Sequence, residues 1–265
     1  MGNAKIVFDI ETQKTFDEVG GIDHRDELGV SYVGVYSYSQ DKLFGFFEDQ
    51  IEALEKIIMA EKPTLIGFNS IHFDVPVMQP YFKHFDLQQL PHLDLLKEVE
   101  KILGHRLKLD SIAQSTLYTK KSGMGLDAIR WYRSGELEKL ARYCLDDVEI
   151  TRDVYEYGLN HGVIYYSNAG QKTAVKASWS TGETVQEKVE RALKDHKTLK
   201  IVYIQGDEST GDRSTELYTI NILERSGMNL NVYIEEKSEP MQISIDRIFK
   251  VHETDNKFAH QGALF

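Results

Sequence analysis

The stretch that decides the fold is Phe8-Asp9-Ile10-Glu11-Thr12, which ends an apolar run that begins at Ile6. In an extended strand, residues two apart share a face, so Asp9 and Glu11 point to one side and Ile10 points to the other. Two carboxylates this close repel each other unless a cation lies between them, and hard divalent ions such as Mg²⁺ or Mn²⁺ are bound by carboxylates. An acidic strand end that faces water explains the pentapeptide equally well. It indicates a metal site only if other carboxylates converge on it.

Composition limits the classes of protein that fit the chain. Its 265 residues are 41% apolar, enough for one large domain or two unequal ones. The 42 acidic residues outnumber the 31 basic ones and give a formal charge of −11, so no overall basic field attracts nucleic acid. This balance counts against a pure nucleic-acid-binding protein but does not exclude a nuclease, whose metal site is acidic for its own reason.

Cysteine content and hydropathy indicate the compartment. The single cysteine, Cys144, excludes an internal disulfide framework and a cysteine-based zinc site, and it fits a reducing compartment. The sequence has no apolar signal segment and no apolar run of about 18 residues. We therefore expect a soluble, cytoplasmic protein.

Hydrophobic patterning predicts an α/β domain over residues 1–165. The predicted order of strand, strand, strand, helix, strand, with a hairpin over 30–47, indicates a mixed sheet flanked by helices. Further helices are expected at 74–82, 93–103, 109–117 and from 136 to about 160.

A second, smaller domain is expected after residue 165. Residues 166–183 are rich in Ser, Ala, Gly, Thr and Lys and are predicted to be a linker. A helix over 184–195 and four or five strand-like runs then predict a small, mainly-β barrel over 184–253. Residues 254–265 are expected to form a flexible tail.

Two more acidic residues are candidates for the same site as Asp9 and Glu11. Asp74 opens a helix shortly after a short apolar strand, where a helix-capping role is the alternative. Tyr143 and Asp147 are four residues apart on the long predicted helix and therefore share a face. A phenol one turn from a metal-binding carboxylate can hold a water, whereas a half-buried tyrosine beside a solvated aspartate is the plain alternative.

Together these motifs resemble the proofreading-exonuclease (DEDD) superfamily of the ribonuclease H-like fold, in its tyrosine subtype (DEDDy). The pattern is Asp-x-Glu on a first strand, Asn-x-x-x-Phe-Asp after a later strand, and Tyr-x-x-x-Asp on a late helix. The resemblance implies that Asp9, Glu11, Asp74 and Asp147 bind two Mg²⁺ or Mn²⁺ ions and that Tyr143 orients the attacking water. It also implies removal of nucleotides from a free 3′ end, with single-stranded DNA favoured and RNA possible.

The resemblance covers roughly residues 3 to 162 and leaves the parent group open. The histidine subtype would need a histidine five positions before Asp147, where Arg142 stands. Residues 68–76 look most like the exonuclease domains of family B polymerases. Residues 143–148 look like exonuclease domains attached to helicases.

Basic and aromatic side chains are candidates for nucleic-acid contacts, because cations meet phosphates and rings stack on bases. The candidates are Asn69, Phe73, Lys120, Lys121, Arg130, Arg142, Arg213, Tyr233 and Arg247. Solvated surface side chains are the alternative for each basic residue. The last three lie in residues 199–248, which resemble a WYL domain, a small Sm-like barrel that often binds nucleic acid. The Trp of the naming triplet is missing from Val232-Tyr233-Ile234, and a generic SH3-like barrel remains open.

The sequence ends in Gln261-Gly262-Ala263-Leu264-Phe265. This resembles the Gln-x-x-Leu-Phe peptide with which bacterial replication proteins bind the sliding clamp. The resemblance implies that Leu264 and Phe265 are apolar anchors and that Gln261 makes polar contacts.

The leading hypothesis is a metal-dependent 3′-to-5′ exonuclease of DNA replication or repair with an accessory C-terminal barrel. One alternative is a non-catalytic nucleic-acid-binding or clamp-tethered adaptor on a nuclease-like fold. The complete set of acidic residues opposes it, because a binding module has no need to hold repelling carboxylates together. A structure-specific endonuclease on the same fold is the other alternative.

Overall fold

A computed structural model describes residues 4–120, 125–207 and 210–258, and the chain divides into two compact units. Unit 1 comprises Met1–Leu109 and Lys121–Asp153, and unit 2 comprises Asp110–Lys120 and Val154–Phe265. This division differs from the boundary expected at residue 165. Side chains beyond Val154 explain the difference: Tyr157 Oη donates to the carbonyl of Asp246 at 2.8 Å, within unit 2.

Unit 1 is built on a mixed five-stranded sheet in the order β3-β2-β1-β4-β5. The strands β1 to β3 are antiparallel neighbours, whereas β4 and β5 run parallel to β1. The mixed sheet flanked by helices, as predicted, is confirmed. The strands are β1 (Lys5–Thr12), β2 (Val30–Ser37), β3 (Lys42–Phe47), β4 (Thr64–Gly67) and β5 (His92–Asp94).

The predicted helices begin and end close to the expected positions, with two corrections, and one helix, Gly125–Ser134, was not predicted. The helix expected over 74–82 ends at Met78 and continues only as a 3₁₀ turn, Gln79–Tyr81, that contains Pro80. The helix expected from residue 93 begins at Leu95, because residues 92–94 form β5. The helices are α1 (Ile51–Glu61), α2 (Asp74–Met78), α3 (Leu95–Leu103), α4 (Leu109–Leu117), α5 (Gly125–Ser134) and α6 (Leu137–His161).

Ile10 fixes which way the two carboxylates of β1 face. It is 4% exposed and belongs to the same apolar cluster as Phe8 and Val33. Because alternate residues of a strand face opposite sides, its burial on one side leaves Asp9 and Glu11 on the other. A shift of the register of β1 by one residue would exchange the buried apolar face with the face that carries the carboxylates. The apolar core therefore determines the register that exposes the carboxylates to the cavity described below.

Besides most of α4 and the end of α6, the described part of unit 2 contains a hairpin, one further helix and an antiparallel five-stranded sheet. The sheet has the order β11-β10-β9-β8-β12. Helix α7 packs its buried Val185 and Val189 into the same core as Leu199 and Ile220 of the sheet. The elements are β6 (Val163–Asn168), β7 (Gln171–Lys176), α7 (Val185–Asp195), β8 (Lys197–Gly206), β9 (Arg213–Ser226), β10 (Asn229–Ile234), β11 (Glu239–Ser244) and β12 (Ile248–Lys257).

Two expectations about the second half of the chain need correction, and a third is not shown. The segment 166–183, expected to be a linker, contains most of the β6–β7 hairpin, because alternate residues such as Tyr166 and Val175 are buried. The tail expected from residue 254 begins later, because β12 continues to Lys257, which pairs with Lys197. Within the described strands, β11 and β12 are the two edges of an open sheet, so closure into a barrel is not shown.

No helix in the described ranges has the length and apolar character that crossing a membrane requires.

A buried histidine, His161, is expected to make the stability of unit 2 depend on pH. The ring of His161 stacks on Tyr157, with centroids 4.0 Å apart and planes 9° apart. Its Nε2 lies 2.7 Å from the carbonyl oxygen of Ile248 and donates to it, since a carbonyl can only accept. Burial lowers the pKa of His161 from 6.5 to about 4, so the ring is neutral in the folded state at pH 7.

We predict that acid weakens unit 2 through His161. The pKa is lower in the folded state than in the unfolded state, so the unfolded chain takes up the proton first. Stability is therefore lost as pH falls below about 6.5, by about 2 kcal/mol at pH 5. Urea unfolding followed by Trp179 fluorescence in a Trp131→Phe background measures this. His161→Gln should abolish that part of the pH dependence, and an unchanged dependence in His161→Gln would contradict the assignment.

Candidate functional site

Four of the five predicted catalytic residues line one cavity of unit 1. The cavity has a volume of about 460 Å³, and its lining includes Asp9, Glu11, Tyr143 and Asp147. Asp74 is not part of this lining. It is buried at the start of α2, directly after Phe73, which does line the cavity. Strand β1 and helix α6, which are far apart in the chain, therefore bring two pairs of polar residues to one place.

The acidic pair of β1 is close to the one thiol of the chain. Glu11 is 7% exposed and Asp9 is half-buried. One carboxylate oxygen of each residue and Sγ of Cys144 lie within 4.8 Å of one another. Sγ lies 3.4 Å from the main-chain oxygen of Asp9 and 3.8 Å from its Oδ2. Like charges in partly buried surroundings at this separation favour binding of a cation.

A glycine allows α6 to approach the sheet at this point. Gly34 of β2 is the antiparallel partner of Asp9. A Cβ on Gly34 would lie 2.9 Å from Cγ2 of Val148 and 3.1 Å from Sγ of Cys144. Gly34 and Cys144 were missed by sequence reasoning, although a glycine inside an apolar strand is a signal for close approach of another element.

Tyr143 stays protonated in this environment. It is 4% exposed, and its ring packs edge-on against Trp131 with centroids 5.7 Å apart. Burial raises the pKa of Tyr143 well above its usual value of 10, and the charges of Asp147, Glu11 and Asp9 raise it further. The hydroxyl is therefore a hydrogen-bond donor, with Asp147 as an acceptor.

The thiol beside the carboxylates is also neutral. Burial raises the pKa of Cys144, and the charges of Asp9 and Glu11 raise it further. A neutral thiol is a poor metal ligand, because metals bind the thiolate. The donors offered to a cation are thus carboxylate oxygens, the ligands that hard divalent ions prefer.

Asp94 organises the loop that leads to Phe73 and Asp74. Its Oδ1 accepts from the main-chain nitrogen of Asn69 at 2.8 Å, and its Oδ2 accepts from that of Ile71 at 3.1 Å. Oδ1 also caps α3 by accepting from Leu96 N at 3.1 Å. Asn69 has left-handed backbone geometry, with φ of 69°. Sequence reasoning missed Asp94, whose signal was an aspartate at the predicted start of a helix.

The side chain of Asn69, a predicted nucleic-acid contact, is hydrogen-bonded to Arg106. The guanidinium of Arg106 donates to Oδ1 of Asn69 at 2.5 Å. Asn69 is therefore already engaged within unit 1, at a loop that supports the cavity rather than in its lining.

The remaining wall of the cavity is largely apolar with one cation. Phe16 and Phe73 meet edge-on, with ring centroids 6.0 Å apart, and Leu126 is 69% exposed. Among the described lining residues, Lys14 alone carries a positive charge. Its Nζ donates to the carbonyl of Glu27 at 3.1 Å. Sequence reasoning missed Lys14, although it lies in the loop directly after the acidic pair.

Arg130 and Arg142, the predicted phosphate contacts of unit 1 in the described residues, are not among the residues that line the cavity. Arg130 pairs with Asp127 at 3.0 Å and Arg142 pairs with Asp146 at 2.7 Å, each within its own helix. Both side chains are mostly exposed. Lys121 lies outside the described residues.

Three of the four candidates in unit 2 contact other residues of that unit, whereas the fourth, Tyr233, is exposed. The guanidinium of Arg247 lies 4.0 Å from the ring centroid of Tyr118 and donates to the carbonyl of Gly206 at 3.0 Å. Arg213 lies 5.3 Å above the ring of Phe249. The side chain of Lys120 packs against Gly211, since a Cβ built on Gly211 would lie 2.7 Å from Cγ of Lys120. Tyr233 is 37% exposed on β10.

The family model of the RNase H superfamily matches residues 6–158, which is more than half of the chain. The chain belongs to the RNase H superfamily. The matched range includes Asp9, Glu11, Tyr143 and Asp147, the residues of β1 and α6 that line the cavity. No match was found among curated proteins.

Several solved structures of exonuclease I are distantly similar to this RNase H superfamily member. A product-bound exonuclease I is 11% identical with a TM-score of 0.33, and the match covers 93% of this chain and 64% of that one. Escherichia coli exonuclease I with a dT13 oligonucleotide is 11% identical with a TM-score of 0.31, covering 96% and 66%. A complex of exonuclease I with SSB-Ct is 11% identical with a TM-score of 0.32, covering 96% and 66%. The chain thus spans about 64% to 66% of the length of these proteins.

We predict that Gly34→Ala loosens the packing of α6 against β2. The new Cβ lies too close to Val148, so the helix must move, at an expected loss of about 1–3 kcal/mol in stability. Hydrogen exchange read by mass spectrometry should show faster exchange in peptides from residues 140–150. Gly182→Ala is the matched control, because a Cβ there meets no atom within 4 Å. Equal exchange in Gly34→Ala and wild type would contradict the close approach.

Proposed function

We propose that this protein is a metal-dependent nuclease that hydrolyses phosphodiester bonds, and more specifically a 3′-to-5′ exonuclease for single-stranded DNA. The observation that carries the proposal is the convergence of Asp9, Glu11 and Asp147 with Tyr143 on one cavity. Membership of the RNase H superfamily supports a nuclease. The 3′ polarity is supported by the resemblance to the tyrosine subtype of proofreading exonucleases.

The donor set suits Mg²⁺ or Mn²⁺. The described residues that line the cavity offer carboxylate oxygens and include no histidine. Asp9, Glu11 and Asp147 would hold the cation, and Asp74 would join them in a two-ion site. A bound divalent cation would supply Lewis-acid activation of water and neutralise charge at the phosphate.

Tyr143 contributes orientation rather than base catalysis. Because its pKa is raised, its hydroxyl keeps its proton and donates a hydrogen bond. Packing against Trp131 fixes the ring, and the side chain of Asp147 fixes the hydroxyl. A hydroxyl held in this way can orient a water for in-line attack without removing its proton.

The walls of the cavity fit an unpaired nucleotide. Phe16 and Phe73 present ring edges and faces on which a free base can stack. Lys14 lines the same cavity, and its ammonium group would contact a backbone phosphate. A base within a duplex would first have to leave its stack, which favours single strands.

We also propose roles for the sheet of unit 2 and for the C-terminal peptide. The strand order of the unit 2 sheet, with a 3₁₀ turn at Ile245–Arg247 before β12, supports an SH3-like or Sm-like barrel of the WYL type that binds nucleic acid. Binding to a bacterial sliding clamp is proposed through Gln261, Leu264 and Phe265, which lie outside the described residues. A cytoplasmic location also stays a prediction.

End-labelled nucleic acids test the proposed reaction. Single-stranded DNA labelled at its 3′ end should release labelled mononucleotides with Mg²⁺ or Mn²⁺, and chelator should stop the release. Asp9→Asn should remove activity, because one carboxylate of the site is lost. Tyr143→Phe should lower kcat by roughly a hundredfold without moving the pH–rate profile below pH 9, because the phenol keeps its proton throughout. Activity of Asp9→Asn equal to wild type would contradict the site, and cleavage of circular single strands would indicate an endonuclease instead.

Lys14 is expected to bind substrate through its charge. Lys14→Met should raise KM about fivefold to tenfold, leave kcat nearly unchanged and reduce the salt slope of binding by about one. Lys14→Arg should keep most of the affinity. The control is Lys56→Met, which removes an exposed lysine of α1 that pairs with Glu52 and does not line the cavity. Identical salt slopes for Lys14→Met and Lys56→Met would rule out the contact.

A further inference from the structure

Cys144 has a polar contact that core packing alone does not require. It is fully buried on α6, between Tyr143 and Asp147, in an apolar cluster with Leu140. Alanine or valine would fill such a position without a polar group. The sulfur instead lies 3.4 Å from the main-chain oxygen of Asp9 and 3.8 Å from Oδ2 of the same residue.

Among the described residues, the two acceptors hydrogen-bonded by the thiol both belong to Asp9. A thiol has one hydrogen, so it donates to the main-chain oxygen or to the carboxylate at any moment. Either bond restrains Asp9: the first ties the strand to α6, and the second limits rotation of the carboxylate. Groups that hydrogen-bond to a metal-ligating carboxylate set the orientation in which it meets the ion.

The space for the sulfur comes from Gly34. A Cβ at that position would lie 3.1 Å from Sγ of Cys144, closer than most side chains tolerate. Because Gly34 is also the strand partner of Asp9, the thiol enters the sheet next to the residue that it contacts. The glycine, the cysteine and the aspartate thus form one packed unit.

We propose that Cys144 is a positioning residue for Asp9, whose thiol holds this carboxylate in the orientation that a divalent cation needs. This rests on the proposed metal site and adds to it a residue that touches neither substrate nor ion. Loss of the thiol should weaken metal binding although all four carboxylates remain.

Calorimetric titration of the full chain with Mn²⁺, without substrate, tests this role. Cys144→Ala should weaken binding about tenfold, and Cys144→Ser should recover part of that loss because it keeps a donor with a shorter reach. Leu140→Val is the matched control, since it also removes one heavy atom from the same cluster and should bind within about twofold of wild type. Mn²⁺ affinity of Cys144→Ala equal to that of Leu140→Val overturns the positioning role while leaving the metal site intact. Wild-type protein that binds no Mn²⁺ overturns the proposed site and this role with it.

The S–H stretching band gives a second readout on the unmodified protein, in case Cys144→Ala does not fold. The chain has one cysteine, so its infrared S–H band reports Cys144 alone. Saturating Mg²⁺ should shift the band in wild type, because the cation withdraws electron density from the acceptors on Asp9, and should leave it unmoved in Asp9→Ala. A wild-type band that does not respond to Mg²⁺ overturns the proposal.

Discussion

Electrostatic repulsion between the carboxylates of the cavity is the constraint on which the site depends. Two unit charges about 5 Å apart repel by about 3 kcal/mol at an effective dielectric constant of about 20. Asp9 and Glu11 lie at such a separation on β1, and Asp147 faces the same cavity from α6. The fold holds them there by packing: Ile10 is locked in the core on one side of β1, and α6 is pressed against β2 at Gly34 on the other. The burial of Ile10 and the absence of a side chain at Gly34 therefore hold the carboxylates close together, although their charges repel each other.

Two neutral groups lie close to the carboxylates of the site. Tyr143 and Cys144 both keep their protons, because burial and the neighbouring carboxylates disfavour further negative charge. Each is therefore a donor aimed at an acidic residue, Tyr143 at Asp147 and Cys144 at Asp9. In the proposed metal site the carboxylates would be the oxygen ligands, and these two donors would orient them. In the proposed site, one turn of α6 would therefore supply a ligand, a water-orienting hydroxyl and a supporting thiol.

Sequence patterns were sufficient for the elements that carry the acidic residues. The apolar run before Asp9, the hairpin that follows and the long helix with Tyr143 and Asp147 appear where periodicity placed them. Patterns failed where a role depends on a neighbour distant in the chain. Asp94 is a capping residue by its local sequence, and only the fold shows that it also holds Asn69. Gly34 and Cys144 are ordinary core residues until β2 and α6 are brought together. The hairpin at 163–176 was missed because only one face of its strands is buried. The polar and small residues of the other face made the sequence look like a linker.

Crystals of the wild-type protein grown with Mn²⁺ would test the central claim most directly, because anomalous scattering locates the ion without reference to activity. Anomalous peaks are expected within about 2.0–2.3 Å of carboxylate oxygens of Asp9, Glu11 and Asp147. Crystals of Asp9→Asn grown in the same way should lose at least one of these peaks. An empty cavity in wild-type crystals at saturating Mn²⁺, or peaks confined to other acidic residues, would contradict the account.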